Sequence, residues 1–254
     1  MICLSVNVNK VATLRNSRGG HEPSVLKAVE VCIEAGAPGI TVHPRADRRH
    51  ITPDDVRQIA RVLKEDHPEI EYNIEGDPRP DLLELVDEVR PTQCTLVPVA
   101  PGEITSQAGW QPGRASELPR VVERLHAIGT RVSLFVDARS EPILWAAAIG
   151  ADRVELYTEP FARAFERGLK SGGRPFLTCV EAAEIAHGAG LGVNAGHDLN
   201  LENLVVFRAL PHLEEVSIGH AIASRALFVG LRTVVLEYLA VLKAGTNDSA
   251  PMRA

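Results

Sequence analysis

The stretch GAGLGVNAGHDLN (Gly188–Asn200) decides how the rest of the chain is read. A helical pattern stops at a glycine, a short apolar run follows, and the run ends on a polar, chemically capable residue, His197. Glycine is favoured just past a helix because it accepts the left-handed cap conformation. The same unit recurs: Glu34–Gly36 (EAG) precedes Gly39–His43, Ala127–Gly129 (AIG) precedes Arg131–Asp137, and Ala148–Gly150 (AIG) precedes Arg153–Tyr157. Four more apolar runs, Ile2–Val8, Glu71–Glu75, Cys94–Pro98 and Glu215–His220, complete a set of eight, each followed by a helical pattern. Strands alternating with helices imply βαβ units and a parallel sheet. Eight of them in 254 residues predict a (β/α)8 TIM barrel of the α/β class. A single domain is expected over residues 1–244, with 245–254 a disordered tail.

The helical stretches carry their own punctuation. Thr52-Pro53-Asp54-Asp55 is a helix start, with Thr as N-cap, Pro in the first turn and acids at the positive end. Val56, Ile59, Ala60 and Leu63 then share one face. Leu82, Leu83, Val86 and Val89 form the next buried stripe, and Leu118, Val121, Val122, Leu125 and Ile128 another. Ile143–Ile149, Val180–Ala189 and Leu201–Leu210 follow, and Ala223–Leu242 reads as one long closing helix. Three segments break the rhythm and read as loops on the strand-tip face: Asn9–Pro23, Val99–Ser116 and Glu159–Arg174. Loops of that length inside a barrel are expected to serve the site.

Bulk properties exclude several function classes. A net charge of −6 argues against non-specific binding to nucleic acid or an anionic membrane. No apolar run approaches the ~20 residues of a membrane span. The four cysteines, Cys3, Cys32, Cys94 and Cys179, sit in apolar stretches with no C-x-x-C pair, as buried residues of a reducing cytoplasm would. The N-terminus opens directly on a strand-like run without signal-peptide character.

In a barrel, strand ends on one face converge on one pocket. Here the tips carry Asn7, His43, Glu75, Asp137, Glu155, His197 and His220, a set suited to acid–base chemistry on a small molecule. His43 is followed by a cationic loop with Arg45, Arg48, Arg49 and His50, which suits a phosphate or carboxylate. Glu75 is expensive in an apolar strand unless it serves at the tip as a base. His197 follows Ala195 and Gly196, small enough for close approach of a ligand. Gly219-His220 runs straight into a helix and offers backbone N–H groups to an anion, with Asn7 and Arg18 placed to complete an anion clamp.

Together these segments resemble the pyridoxine 5′-phosphate synthase family. The likeness rests on SVNVNKVATLRNSRG (Ser5–Gly19), GITVHPRADRRHI (Gly39–Ile51), NIE (Asn73–Glu75), LVP (Leu96–Pro98) with EIT (Glu103–Thr105), VSLFVDA (Val132–Ala138), VNAGHDL (Val193–Leu199) and SIGHAI (Ser217–Ile222), in order along nearly the whole chain. It implies condensation of 1-deoxy-D-xylulose 5-phosphate with 3-amino-2-oxopropyl phosphate to pyridoxine 5′-phosphate, phosphate and water, with no metal or organic cofactor. It implies general bases at His43 and Glu75 and a proton donor at His197. It places the pentulose phosphate near Arg45, His50 and Thr105, and the amino-ketone phosphate near Asn7, Arg18, Asp198, Gly219 and His220. It also implies a cytoplasmic homo-octamer with small phosphorylated substrates as its partners.

Three places depart from the commoner family pattern. Asn9-Lys10 stands where many members have Asp-His, Tyr157-Thr158-Glu159 where many have His-Thr-Gly, and Asp198 where many have Gly. The three acid–base positions are intact. Two rival readings use the same residues: a metal-dependent barrel hydrolase or aldolase with His43, Glu75 and His197 as ligands, and a non-catalytic sensor that keeps only the anion clamp.

Overall fold

In the computed structural model, which describes residues 1–99, 108–113 and 115–244, strands and helices alternate from end to end. They are β1 (Cys3–Asn7), α1 (Asn9–Asn16), α2 (Val25–Glu34), β2 (Gly39–Val42), α3 (Pro53–Asp66), β3 (Glu71–Gly76), α4 (Pro80–Val89), β4 (Gln93–Leu96), α5 (Leu118–Ala127), β5 (Arg131–Val136), α6 (Ser140–Ala148), β6 (Arg153–Leu156), α7 (Glu159–Glu166), α8 (Leu169–Gly188), β7 (Gly192–Ala195), α9 (Leu201–Phe207), β8 (Leu213–Ile218), α10 (His220–Val229) and α11 (Leu231–Ala244). All eight strands pair in parallel and in sequence order, and β8 closes on β1 with Ser5 opposite Ser217. The fold is the (β/α)8 TIM barrel expected from the repeat. No helix among the described residues is long and apolar enough to cross a membrane.

Period-two alternation sorts each strand into two faces. Leu4, Val6, Ile40, Val42, Ile74, Leu96, Val132, Leu134, Val154 and Val216 are buried in the hydrophobic core with the surrounding helices. Many of the intervening residues are polar yet buried, and several bond to each other from strand to strand. Ser5 Oγ lies 2.6 Å from Thr41 Oγ1, Asn73 Nδ2 donates to Thr41 Oγ1 at 3.3 Å, and Thr95 Oγ1 donates to Asn73 Oδ1 at 3.0 Å. Lower down, Arg131 Nε donates to Gln93 Oε1 at 2.9 Å and Arg153 Nη1 to Asn194 Oδ1 at 3.0 Å, with the Glu215 carboxylate 3.7 Å from Arg153. Buried polar groups are tolerable when they satisfy one another. This barrel therefore has a hydrogen-bonded interior rather than the usual layers of branched apolar residues.

Local signals set the helix ends. Thr52 and Asp55 form the capping box of α3, and Asn200 and Asn203 form that of α9. Gly190, after α8, takes φ +82°, where a side chain would be strained.

Several sequence boundaries are corrected. Asn9–Pro23 is not all loop: α1 occupies its first half, with the Asn9 N–H held by Asn7 Oδ1 at 3.1 Å and Ala12 buried. Glu159–Arg174 is not an inserted loop but α7 and the first turns of α8, which runs through Pro175. An aromatic cluster explains this: Phe161 packs 5.8 Å from Phe165, 5.9 Å from Phe176 and 5.1 Å from Phe207 (ring centroids). That burial outweighs the Gly and Pro signals, as tertiary packing commonly does. The long closing helix is two, α10 and α11, because Gly230 turns the chain at φ +85°. Asp137 does not join the other tips; its carboxylate accepts from Gly109 N at 3.0 Å and Gln111 Nε2 at 2.7 Å. Half of the Val99–Ser116 insertion and all of the 245–254 tail lie outside the described residues.

Candidate active site

The tips of β1, β2, β3, β6, β7 and β8 and the loops after them line one cavity of about 560 Å³. Its walls include Asn7, Asn9, Lys10, His43, Arg45, His50, Glu75, Glu155, Arg163, His197, Asp198, Ser217, Gly219 and His220. Of the eleven site positions expected from sequence, nine meet here. Arg18 does not: it lies exposed beyond the end of α1, its N–H on the Arg15 carbonyl. Thr105 falls outside the described residues.

Glu75 is the hub. Its Oε2 accepts from Asn7 Nδ2 at 3.3 Å and lies 3.8 Å from His43 Nδ1, while Oε1 accepts from Ser217 Oγ at 3.3 Å. Burial raises its pKa to about 7, the Ser217 hydroxyl opposing that rise and Glu215 adding to it. Burial also drives the His43 imidazole well below its usual range, helped by the neighbouring His50 and by positive charge at Arg45 and Arg79. His43 is thus neutral near pH 7, and its contact with Glu75 is not an ion pair. His50 is lowered to about 4 by burial, then by Lys10 and Arg45, so its ring is neutral as well.

His197 sits across the cavity on the loop after β7. Tyr157 meets its ring edge-on at 5.1 Å and Phe135 lies at 5.8 Å. Thr158 Oγ1 donates to the Gly196 carbonyl at 3.1 Å and also to that of His197, pinning the loop from beneath. Gly196 is required: a Cβ there would lie 2.7 Å from the Ser217 carbonyl and 2.9 Å from Glu155 Oε1. Gly219 is the N-cap of α10, and a Cβ on it would lie 2.9 Å from the backbone oxygen of Asn7. The positive end of α10 therefore faces the cavity beside Asn7 and His220.

Among the described residues no three His, Cys, Asp or Glu side chains are grouped as one metal ion would need. The metal-ligand reading of His43, Glu75 and His197 finds no support in their placement.

Sequence reasoning assigned no role to Ser217, Phe135, Thr158 or Arg163, and named Glu155 only as a strand tip. Burial pushes the Glu155 carboxyl well above its usual range, with Glu75 and Glu215 adding repulsion, and it faces the cavity. The signal for Glu155 and Ser217 was present in the strand period, since each lies two residues from another inward position. Arg163 comes from α7, which the sequence presented as loop.

The chain matches the family model described as "Pyridoxal phosphate biosynthesis protein PdxJ" over residues 4–244. It belongs to that family. The pyridoxine 5′-phosphate synthase of Porphyromonas gingivalis is 49% identical over 240 residues, covering 94% of this chain and 98% of the relative. That of Leptospira biflexa is 49% identical over 258 residues, covering 97% and 99%. Among solved structures, phosphoribosyl anthranilate isomerase from Thermus thermophilus superposes with a TM-score of 0.60 at 16% identity, covering 96% of this chain and 99% of the other. Thiamine phosphate pyrophosphorylase from Pyrococcus furiosus does so at 0.60 and 13%, covering 96% of each. At such identities these two share the barrel only.

Within the PdxJ family frame two of the departures have a structural account. Asn9 uses its amide oxygen to accept from the backbone N–H of His43 at 2.9 Å, so it supplies the acceptor an aspartate would. Asp198 takes a left-handed φ of +64°, which glycine adopts without strain and Asp tolerates. Its carboxylate lies 3.7 Å from His197 Nδ1. The neighbouring His197 holds the Asp198 pKa below the ordinary range, with Arg163 and His220 contributing.

Proposed function

We propose that the protein is a pyridoxine 5′-phosphate synthase, condensing 1-deoxy-D-xylulose 5-phosphate with 3-amino-2-oxopropyl phosphate to pyridoxine 5′-phosphate, phosphate and water. The observation that carries the reading is the pairing of Glu75, titrating near 7, with neutral His43, in one cavity with His197 and the cationic and helix-end groups. Close relatives bearing that name support it.

The reaction needs groups that take and give protons around a flattening ring. The substrate amine attacks the pentulose ketone, water leaves and an imine forms. Ring closure then requires proton removals, loss of further water and departure of one phosphate. Glu75 and His43 form a base pair on one wall, and His197 supplies protons from the other. Arg45 and His50 hold the pentulose phosphate. Asn7, Gly219 and His220, at the positive end of α10, hold the amino-ketone phosphate. Fixing both ends brings the amine to the ketone, the entropic part of the rate gain. Arg18 and Thr105 stay in the proposed substrate set from family resemblance alone.

We also propose a cytoplasmic homo-oligomer, an octamer as in the family. Four free cysteines fit a reducing compartment, and exposed Leu227 and Phe228 offer an apolar contact surface.

The test is direct. Purified protein is mixed with both phosphorylated substrates, with and without a chelator, and the pyridine product is followed by absorbance. Product formation indifferent to chelator supports the reading. Binding of both substrates without product favours a sensor, and loss of turnover on chelation favours the metal enzyme.

A further inference from the structure

The ATLRN stretch (Ala12–Asn16) is part of the family likeness, yet nothing above gives Arg15 or Asn16 a task, and neither lines the cavity. Both reach past it to a single acceptor. Asn16 Nδ2 donates to the backbone oxygen of His50 at 2.8 Å, and Arg15 Nη2 to the same oxygen at 3.4 Å. Arg15 is held by a two-pronged ion pair to Asp55, Nη2 to Oδ2 being 2.9 Å. Their side chains are only 13% and 11% exposed. Asp55 Oδ2 also accepts from Thr52 N at 2.8 Å, within the capping box of α3. One carboxylate thus ties α1, the start of α3 and the end of the intervening loop together.

That loop, residues 43–52, has no helix or strand, and Arg48 within it takes a left-handed φ of +52°. Its shape depends on bonds to its backbone. The other end is tied as well: Arg79, bound to Asp77 Oδ1 at 2.7 Å, donates through Nη2 to the Pro44 carbonyl. Arg45 and His50, which face the cavity, lie between the two fastenings.

We propose that Arg15 and Asn16 are positioning residues for pentulose phosphate binding: from outside the cavity they fix the His50 end of the loop so that Arg45 and His50 meet the phosphate. The proposal rests on the substrate placement under Proposed function. It confers substrate selectivity, because the amino-ketone phosphate is held by Asn7 and the α10 end, which this fastening does not touch.

Two variants separate the role from general stability. Asn16→Ala removes one donor to the loop, together with the acceptor that Arg15 Nε uses at 2.9 Å, and leaves the Arg15–Asp55 pair and the capping box in place. Arg15→Lys keeps the charge but loses the planar fork. Asn16→Ala should raise KM for 1-deoxy-D-xylulose 5-phosphate about 3- to 10-fold, the weight of one hydrogen bond. Arg15→Lys should raise it further, and in both variants kcat and KM for 3-amino-2-oxopropyl phosphate should stay within about twofold. Equal rises in both KM values, or none, would overturn the proposal. Hydrogen–deuterium exchange of the peptide spanning residues 44–52 is the second readout, independent of what the enzyme makes. It should speed up in both variants, and unchanged exchange would equally overturn the fastening. If the wild type makes no pyridine product while exchange rises as expected, the assigned reaction and the substrate role fall together and only the mechanical fastening survives.

Discussion

Nδ1 of His43 lies 3.8 Å from Oε2 of Glu75, with the imidazole held neutral and the carboxyl titrating at about 7. The two groups differ in proton affinity: Glu75 takes up a proton at a pH where His43 carries no charge, so Glu75 is the stronger base of the pair. Burial supplies both shifts, because taking a group out of water disfavours its charged form.

This gives the first prediction. The base form of Glu75 is needed, so kcat/KM should rise with pH through about 7 and level off above it. Glu75→Gln should lower kcat by about 10²- to 10⁴-fold, the usual weight of one general base. It should remove that limb of the profile while substrate binding stays largely intact. A Gln variant with wild-type turnover would exclude Glu75 from the chemistry, and an unchanged profile in a slow variant would assign the limb to another group.

Glu155 sets the second. Its native pKa lies well above its unfolded value, so the native state binds more protons than the unfolded one between the two. Its contribution to stability is therefore full below about 4.5 and is lost as pH rises toward the native pKa. Glu155→Gln, neutral throughout, should remove that loss. Denaturant unfolding at a series of pH values from about 4.5 upward should show the variant gaining on the wild type as pH rises toward the native pKa. A constant difference would mean that Glu155 is already ionised in the folded protein.

The barrel was legible because its signal is repeated: eight apolar runs and glycine stops such as Gly36 and Gly190 each make the same statement. His43, Glu75 and His197 were legible because a strand tip places a polar residue at the cavity whatever its neighbours are. What could not be read depends on contacts between distant segments. α7 exists because Phe161 finds Phe176 and Phe207, and no local rule in a stretch containing Gly172, Gly173 and Pro175 announces that. The polar barrel interior was hidden for a related reason. Ser5, Thr41, Asn73 and Thr95 look like scattered polar residues until the barrel sets Thr41 opposite Asn73 and brings Ser5 and Thr95, each two residues off in register, within bonding reach. Arg18 was assigned to the clamp from its place in the first long loop and from the family resemblance, and it lies exposed beyond the end of α1, outside the cavity lining.

A third prediction concerns assembly. Leu227 and Phe228 are 72% and 86% exposed at the end of α10, costly on a lone subunit. Phe228→Glu should lower the mass measured by light scattering on a sizing column and leave the circular dichroism unchanged. A wild type that already runs as a single chain would sink the oligomer, and a variant of unchanged mass would place the interface elsewhere.

The last concerns Gly196, between β7 and His197. A methyl group there would press on the Ser217 carbonyl at 2.7 Å and on Glu155 Oε1 at 2.9 Å. The first contact is with backbone, which cannot swing aside, and Ser217 is also the residue whose hydroxyl donates to Glu75. Relief must come from moving the His197 loop, which Thr158 holds by two carbonyls, or from shifting β8. Either way both walls of the site are disturbed by one carbon atom. Gly196→Ala should cost about 1–3 kcal/mol of stability, typical of overpacking, and lower kcat with a smaller change in either KM. Urea unfolding and steady-state kinetics on the same preparation would check both. An alanine variant as stable and as fast as the wild type would mean that the loop after β7 has room to spare, and that the tight seating of His197 against Glu155 and Ser217 is not what catalysis needs.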